Sequence, residues 1–406
     1  MRNQFNGALY IISKDELNEI ETAMNTGESL NNGHLASLQQ ELFIVEDEPI
    51  PKCARNGDII LVTIETNSDC NLQCSYCYEN DKGTRSPISP EVIEKILRYI
   101  ENIFKQDKSD KILYVAFIGG EPLLCKDIVS CICNRVTELG NRYSRKVGFH
   151  IDTNGTIPFD DLFCSLDCLQ VSVSLTPKID HNKNRCGRGF DSYDRILKNL
   201  KQLTPNPQNE LCIRYNTNDE NISLFEEFVR YIRKNVPLCG EIEPMYTDEY
   251  EHTSFKNRLD IEAFKKWNSS QAVDILIENG YEVMYTLGGM LSMCVAYQQY
   301  SCKVYADGMV TLCNAMPHHD ALCHISQICD APELLEYYFK QYKLYDPTDD
   351  AECRECIELA HCMGRIFCRD DAICDYNHRF DDDILAATFV KYYLAGKGYH
   401  FPNMLN

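Results

Sequence analysis

Between residues 58 and 246, six apolar, β-branched runs alternate with helical patterns, which argues for a parallel α/β unit rather than separate β and α blocks. The runs are IILVTIE (59–65), ILYVAFI (112–118), KVGFHID (146–152), CLQVSVS (168–174), LCIRYNT (211–217) and the weaker GEIEPMY (240–246). Helices are expected from Pro90, across the cysteine-rich stretch near 126–140, from Ser192 and from Ser223; the short link between the third and fourth runs leaves least room for one. Residues 1–57 read as a small appendage with two strand-like runs, ALYIIS and ELFIVE, around a polar middle. The α/β unit and a following helix take up 58–289. Residues 290–380 have short strand patterns, turn signals such as Ala306-Asp307-Gly308 and ten cysteines, as expected of a small domain organised by metal rather than by a core. Residues 381–406 read as a tail helix.

The chain has 22 cysteines in 406 residues, and that length is not that of a disulfide-stapled secreted domain. Its first residues lack a basic leader, an apolar core and a small-residue cleavage site, so the expectation is a cytoplasmic protein whose thiolates hold metal. Forty basic against 61 acidic residues leave a net charge of -21, the opposite of the basic footprint that phosphate backbones need, and no nucleic-acid partner is expected. No stretch approaches the roughly 20 apolar residues of a membrane span, so none is expected to cross a bilayer.

Four turn-like motifs follow the first four strands. After the first comes Ser68-Asp69-Cys70-Asn71-Leu72-Gln73-Cys74-Ser75-Tyr76-Cys77-Tyr78, a Cys-x3-Cys-x2-Cys loop. Three thiolates on so tight a loop can hold three corners of a four-iron four-sulfur cluster and leave the fourth iron open to substrate or cofactor. A zinc site completed by a ligand from elsewhere is the other reading the spacing allows. After the second strand comes Gly119-Gly120-Glu121-Pro122, where glycines permit close backbone approach and a carboxylate can hold an ammonium group. Asp152-Thr153-Asn154-Gly155 and Ser174-Leu175-Thr176-Pro177 follow the third and fourth. In a parallel barrel the strand C-termini form one rim, so all four would converge there.

The cysteine loop, with Tyr76 between its last two cysteines, and Gly119-Gly120-Glu121-Pro122 together resemble the radical S-adenosylmethionine (radical SAM) superfamily, across about residues 58–246. The resemblance implies a partial (β/α)6, TIM-like barrel. It implies S-adenosylmethionine bound at the open iron of a cluster held by Cys70, Cys74 and Cys77, and a 5'-deoxyadenosyl radical that abstracts hydrogen from an unactivated carbon. It further implies that Gly119, Gly120 and Glu121 line the methionine amino group, that Tyr76 approaches the adenine, and that Asn154 and Ser174 contact the ribose and carboxylate region. SLTPKIDHNKNR is similar to the family's Ser-Leu-Asp-Gly-Pro followed by His-Asp-x-x-Arg, which adds Arg185; Thr176-Pro177 departs from that pattern.

In the tail, Cys302-x5-Gly308-x4-Cys313 preceded by Cys294, then Cys353-x2-Cys356-x5-Cys362-x5-Cys368-x5-Cys374, resemble the SPASM domain, the auxiliary-cluster extension of peptide- and protein-modifying radical SAM enzymes. The resemblance implies two further four-iron clusters, one on Cys294, Cys302, Cys313 and Cys368, the other on Cys353, Cys356, Cys362 and Cys374, with Cys368 and Cys374 exchangeable. Three four-iron clusters in all are then expected. Most other cysteines, among them Cys125, Cys131, Cys133, Cys164, Cys168 and Cys212, are expected to be small buried hydrophobes, with Cys323 and Cys329 as spare ligands.

The expected function is a peptide maturase that cross-links or oxidises a ribosomally made precursor, through a thioether or carbon-carbon bond. Its partners would be that peptide and an external one-electron donor such as flavodoxin or ferredoxin. One rival is an anaerobic sulfatase-maturing enzyme that forms formylglycine, in which an aspartate follows the cysteine matching Cys313. Here Asn314 stands at that position, and an amide is no base at neutral pH. The other rival is a non-enzymatic iron-sulfur electron carrier or a zinc-stabilised interaction protein.

Overall fold

Ser89 starts the first helix of the α/β unit by accepting a hydrogen bond from the Val92 amide, with Pro90 in the first turn where its missing N–H is not needed. The helix, Pro90–Gln106, then buries Val92, Ile96, Tyr99, Ile100 and Ile103 along one stripe. Each such side chain contributes about 1.5–3 kcal/mol by leaving water. The same logic recurs in Lys126–Tyr143, in Ser192–Lys201, capped by Asp191, and in Phe225–Asn235, whose Phe225, Phe228, Val229 and Ile232 are buried.

The computed structural model describes residues 13–26, 59–79, 85–249, 252–281, 283–284, 298–312, 314, 316–341, 387–388, 390–392, 395–396 and 399–400. Its strands are β1 (Ile59–Glu65), β2 (Ile112–Ile118), β3 (Val147–Thr153), β4 (Leu169–Ser174), β5 (Glu210–Thr217), β6 (Cys239–Tyr246), β7 (Cys302–Val304), β8 (Met309–Thr311) and β9 (Cys323–His324). They form one sheet in the order β9-β8-β7-β1-β2-β3-β4-β5-β6. The run β1 to β6 is parallel throughout, from Ile59 opposite Ile112 to Thr217 opposite Tyr246. This is the partial (β/α)6 barrel, with every strand within one residue of its sequence expectation. Two details differ. The fourth helix begins at Phe225, after a single 3-10 turn from Ile222 to Leu224, and the short third-to-fourth link holds a helix of six residues, Asp160–Ser165.

The described part of the tail, chiefly 298–312 and 316–341, packs against this core. β7 pairs in parallel with β1, Val62 opposite Cys302, and β8 and β9 continue antiparallel. Cys302, Val304, Val310 and Leu312 are fully buried in the same apolar cluster as the barrel strands. The Ser301 hydroxyl accepts the Leu61 amide at 2.8 Å, and the Tyr99 hydroxyl donates to the Tyr300 carbonyl at 2.8 Å. A buried bidentate pair, Arg85 on Glu65 at 2.7 and 2.8 Å, sits where β1 meets this hairpin, with Arg85 against the Tyr305 ring. Of the proposed auxiliary ligands only Cys302 falls among the described residues; Cys294, Cys313, Cys353, Cys356, Cys362, Cys368 and Cys374 lie outside them, as do ALYIIS without its last residue and ELFIVE. Residues 14–26 are helical, and Tyr399–His400 pairs in parallel with Val283–Met284. Among the described residues no helix is long and apolar enough to cross a membrane.

Candidate active site

A cavity of 310 Å³ opens at the C-terminal rim of β1 to β6. The loop after β1 brings Cys70, Cys74, Tyr76 and Cys77 to it, β2 brings Gly119 and Gly120, β3 brings Asp152, Thr153 and Asn154, and β4 brings Ser172 and Ser174. Arg214 and Asn216 from β5, Met245 to Asp248 at the end of β6, and Arg185 complete the wall. All four sequence motifs thus meet in one place, because parallel strands end on one side of the sheet.

The cysteine loop is held from three sides. Leu72–Cys74 forms a short antiparallel ladder with Arg185–Gly187, setting Cys74 opposite Arg185. The Ser75 amide and hydroxyl bond to the Asn184 carbonyl and side chain, both at 2.8 Å. Behind the loop, the Gly120 amide donates to Asn67 O at 3.1 Å and the Glu121 amide to Asp69 O at 2.8 Å. A Cβ on Gly119 would stand 2.2 Å from Asn67 O, and one on Gly120 2.1 Å from Asp69 O. The two glycines therefore permit the β2 turn to lie against the cysteine loop itself, a close approach the sequence motif assigns only to a ligand.

Glu121 faces inward. Its carboxylate is completely buried and accepts from the Leu123 amide (2.9 Å), the Thr153 hydroxyl (2.7 Å) and the Asn154 amide (2.7 Å). Burial raises its pKa against these bonds. Its oxygens tie the β2 turn to the β3 turn, and it is absent from the cavity wall.

Tyr76 and Arg185 occupy the cavity together. The Tyr76 hydroxyl accepts from Arg185 Nη1 at 3.2 Å and from Asn216 Nδ2 at 2.8 Å, while its ring packs edge-on to Phe255. Burial opposes the Arg185 charge, yet Tyr76 and the Cys74 and Cys70 thiols hold the guanidinium above its usual pKa. Its Nε has no partner among the described residues. Across the cavity Asp152 accepts from Arg214 at 2.6 Å and faces His150 Nε2 at 3.0 Å. Burial would raise this carboxyl, but His150 and Arg214 outweigh it and keep Asp152 ionised.

Sequence reasoning missed Arg214, Asn216 and the β6 end, because isolated polar residues at strand ends carry no motif. It also missed Asp180, whose buried carboxylate accepts from Asn184, Asn218 and Asn221 at 2.8–3.1 Å and anchors the segment carrying Arg185. Its expectation for the spare cysteines needs correction. Cys133 and Cys212 are buried, and Cys125 partly so, but Cys131, Cys164 and Cys168 are exposed, since they fall on the outer faces of their helices or at strand ends. Cys323 and Cys329 are buried, and burial pushes the Cys323 thiol up to about 12. Among the described residues no three Cys, His, Asp or Glu side chains cluster as one metal ion requires; a four-iron cluster, with each thiolate on a separate iron, makes no such demand.

Residues 51–233 match the family model of the radical SAM superfamily. A 7-carboxy-7-deazaguanine synthase of Methanospirillum hungatei is 36% identical over 96 residues, 23% of this chain and 33% of that protein, so the chain spans a third of that relative's length. A cysteine-type anaerobic sulfatase-maturating enzyme of Clostridium perfringens is 23% identical over 378 residues, covering 84% of this chain and 95% of that one. Among solved structures, anSMEcpe with bound AdoMet and Cp18Cys peptide aligns with a TM-score of 0.54 at 17% identity, over 83% of this chain and 98% of that one. Streptococcus suis SuiB bound to precursor peptide SuiA aligns with a TM-score of 0.57 at 15% identity, over 86% and 82%. At these identities the structural likeness is one of fold.

Proposed function

We propose that this chain, whose residues 51–233 match the radical SAM family model, is a radical SAM maturase acting on a ribosomally made precursor peptide or protein. The observation that carries the reading is the convergence of Cys70, Cys74 and Cys77 with Gly119, Gly120, Asn154, Ser174 and Arg185 on one cavity. S-adenosylmethionine and an iron-sulfur cluster, the cofactors of that superfamily, supply hydrogen-atom abstraction from an unactivated carbon. The donor set suits them: three thiols on one loop, and a buried guanidinium whose Nε has no partner among the described residues.

In this reading Cys70, Cys74 and Cys77 bind three irons. The backbone of Gly119 and Gly120 would hold the methionine amino group and Arg185 its carboxylate, with the Tyr76 hydroxyl orienting Arg185. Ser174 lines the ribose side. Asp152 and Arg214, neutralising one another, wall the part of the cavity toward β5 and β6 where a substrate side chain would enter. Eight tail cysteines would hold two auxiliary clusters, which would supply one-electron transfer. A one-electron donor of the flavodoxin or ferredoxin kind feeds the site.

Peptide substrates are supported by the two neighbours solved with peptides bound. The leading chemistry is a cross-link or oxidation; formylglycine formation is the second reading, favoured by the match to the sulfatase-maturating enzyme and weakened by Asn314. The test is anaerobic reconstitution with iron, dithionite and S-adenosylmethionine. About twelve irons per chain are expected, with 5'-deoxyadenosine formed by the wild type and not by the Cys70/Cys74/Cys77 triple alanine variant. Zinc in place of iron, or no 5'-deoxyadenosine despite intact clusters, would return the protein to the electron-carrier or zinc-stabilised class.

A further inference from the structure

The side chain of Asn154 is buried, and its neighbours decide which way its amide points. Its Oδ1 accepts from the Thr156 amide (2.9 Å) and the Thr156 hydroxyl (2.6 Å). That leaves Nδ2 to donate to Asn71 Oδ1 at 2.8 Å and toward Cys70 Sγ at 3.7 Å. The Leu72 amide reaches the same sulfur at 3.4 Å. On the other strand of the small ladder, Arg185 stands opposite Cys74, with its guanidinium buried, one nitrogen on the Tyr76 hydroxyl and Nε without a partner among the described residues.

Adding one electron to a thiolate-held cluster adds one negative charge to it and breaks no bond. N–H donors on the sulfurs and a nearby fixed cation stabilise that reduced state more than the oxidised one, and burial strengthens both effects. We propose that Asn154 and Arg185 hold up the reduction potential of the cluster on this loop, Asn154 through its N–H···S contact with Cys70 and Arg185 through its charge beside Cys74. Both are positioning residues in this role, which operates before S-adenosylmethionine arrives. The inference rests on the reading of Cys70, Cys74 and Cys77 as cluster ligands.

The test is an anaerobic redox titration of the reconstituted full chain without S-adenosylmethionine, followed by electron paramagnetic resonance. The loop cluster is identified as the signal missing from the Cys70/Cys74/Cys77 triple alanine variant. Asn154→Ala and Arg185→Met are each expected to lower the reduced-to-oxidised ratio at fixed potential about tenfold, which for one electron is about 59 mV. Arg185→Lys, which keeps the charge, should titrate as wild type. Wild-type titration by both Asn154→Ala and Arg185→Met overturns the proposal. Loss of the cluster from Asn154→Ala alone, with Arg185→Met unshifted, overturns it too, because both residues then only shape the loop. A wild type whose iron and signal match the triple variant removes the cluster reading itself, and the inference with it.

Discussion

His181 is fully buried and neither ring nitrogen has a partner among the described residues; its ring packs edge-on to Tyr193. Burial, and after it the charge of Arg185, pushes its pKa down to about 2. The unfolded chain takes up a proton near pH 6.5 and the folded one does not, so protons favour unfolding in the window from about 6.5 down to about 2. Stability should therefore be full above pH 6.5 and fall below it, by up to about 1.4 kcal/mol per pH unit from this residue. Because no hydrogen bond is lost, His181→Phe should be nearly neutral at pH 7.5 and should flatten the decline between pH 6.5 and 5. Denaturant midpoints across that range measure both effects; a slope equal to wild type would show that His181 is not the titrating group. The cysteines and glycines of the rim were legible as residues because their spacing is local. Asp180 takes Asn218 and Asn221 from a segment 38 and 41 residues away, and no spacing pattern around Asp180 or His181 announces their burial.

Among the elements, the turn after β2 is the most exacting. Gly119 has φ +150°, a region nearly reserved for glycine, and its α-carbon has no room for a side chain beside Asn67 O. Gly119→Ala should cost at least about 1–3 kcal/mol and displace the cysteine loop, lowering iron content while the helical circular dichroism of the barrel persists. Iron retained at the wild-type level would mean the turn can give way without moving the loop. Six strands and four helices could be read directly, since their periodicity is written in consecutive residues. The ladder between Leu72–Cys74 and Arg185–Gly187 could not: each strand is three residues long, too short for a period, and exists only because the two loops meet.

At the scale of the whole molecule, β1 carries the junction. It pairs with β2 on one side and β7 on the other, and Glu65 at its end holds Arg85 inside the protein. Arg85→Ala would leave that carboxylate buried without its cation and should destabilise by about 3–5 kcal/mol; a loss below about 1 kcal/mol in a chemical melt would mean that solvent reaches Glu65. Cutting the chain after residue 289 removes β7 and exposes the β1 edge. The shortened chain is expected to associate and to lose its cooperative melt, and a monomeric fragment with a sharp transition would show the barrel to be self-sufficient.

The amino-acid sequence by itself determined the order and type of the barrel elements and the positions of the chemistry-bearing motifs, because both depend on patterns among near neighbours. Tertiary structure alone decided that Glu121 turns inward to brace two turns, that Arg185 lies buried against Tyr76 and opposite Cys74, and that the tail hairpin continues the barrel sheet. Those outcomes depend on which distant groups share a low-dielectric interior, where an unpaired carboxylate, guanidinium or strand edge is costly and the chain must bring each one a partner.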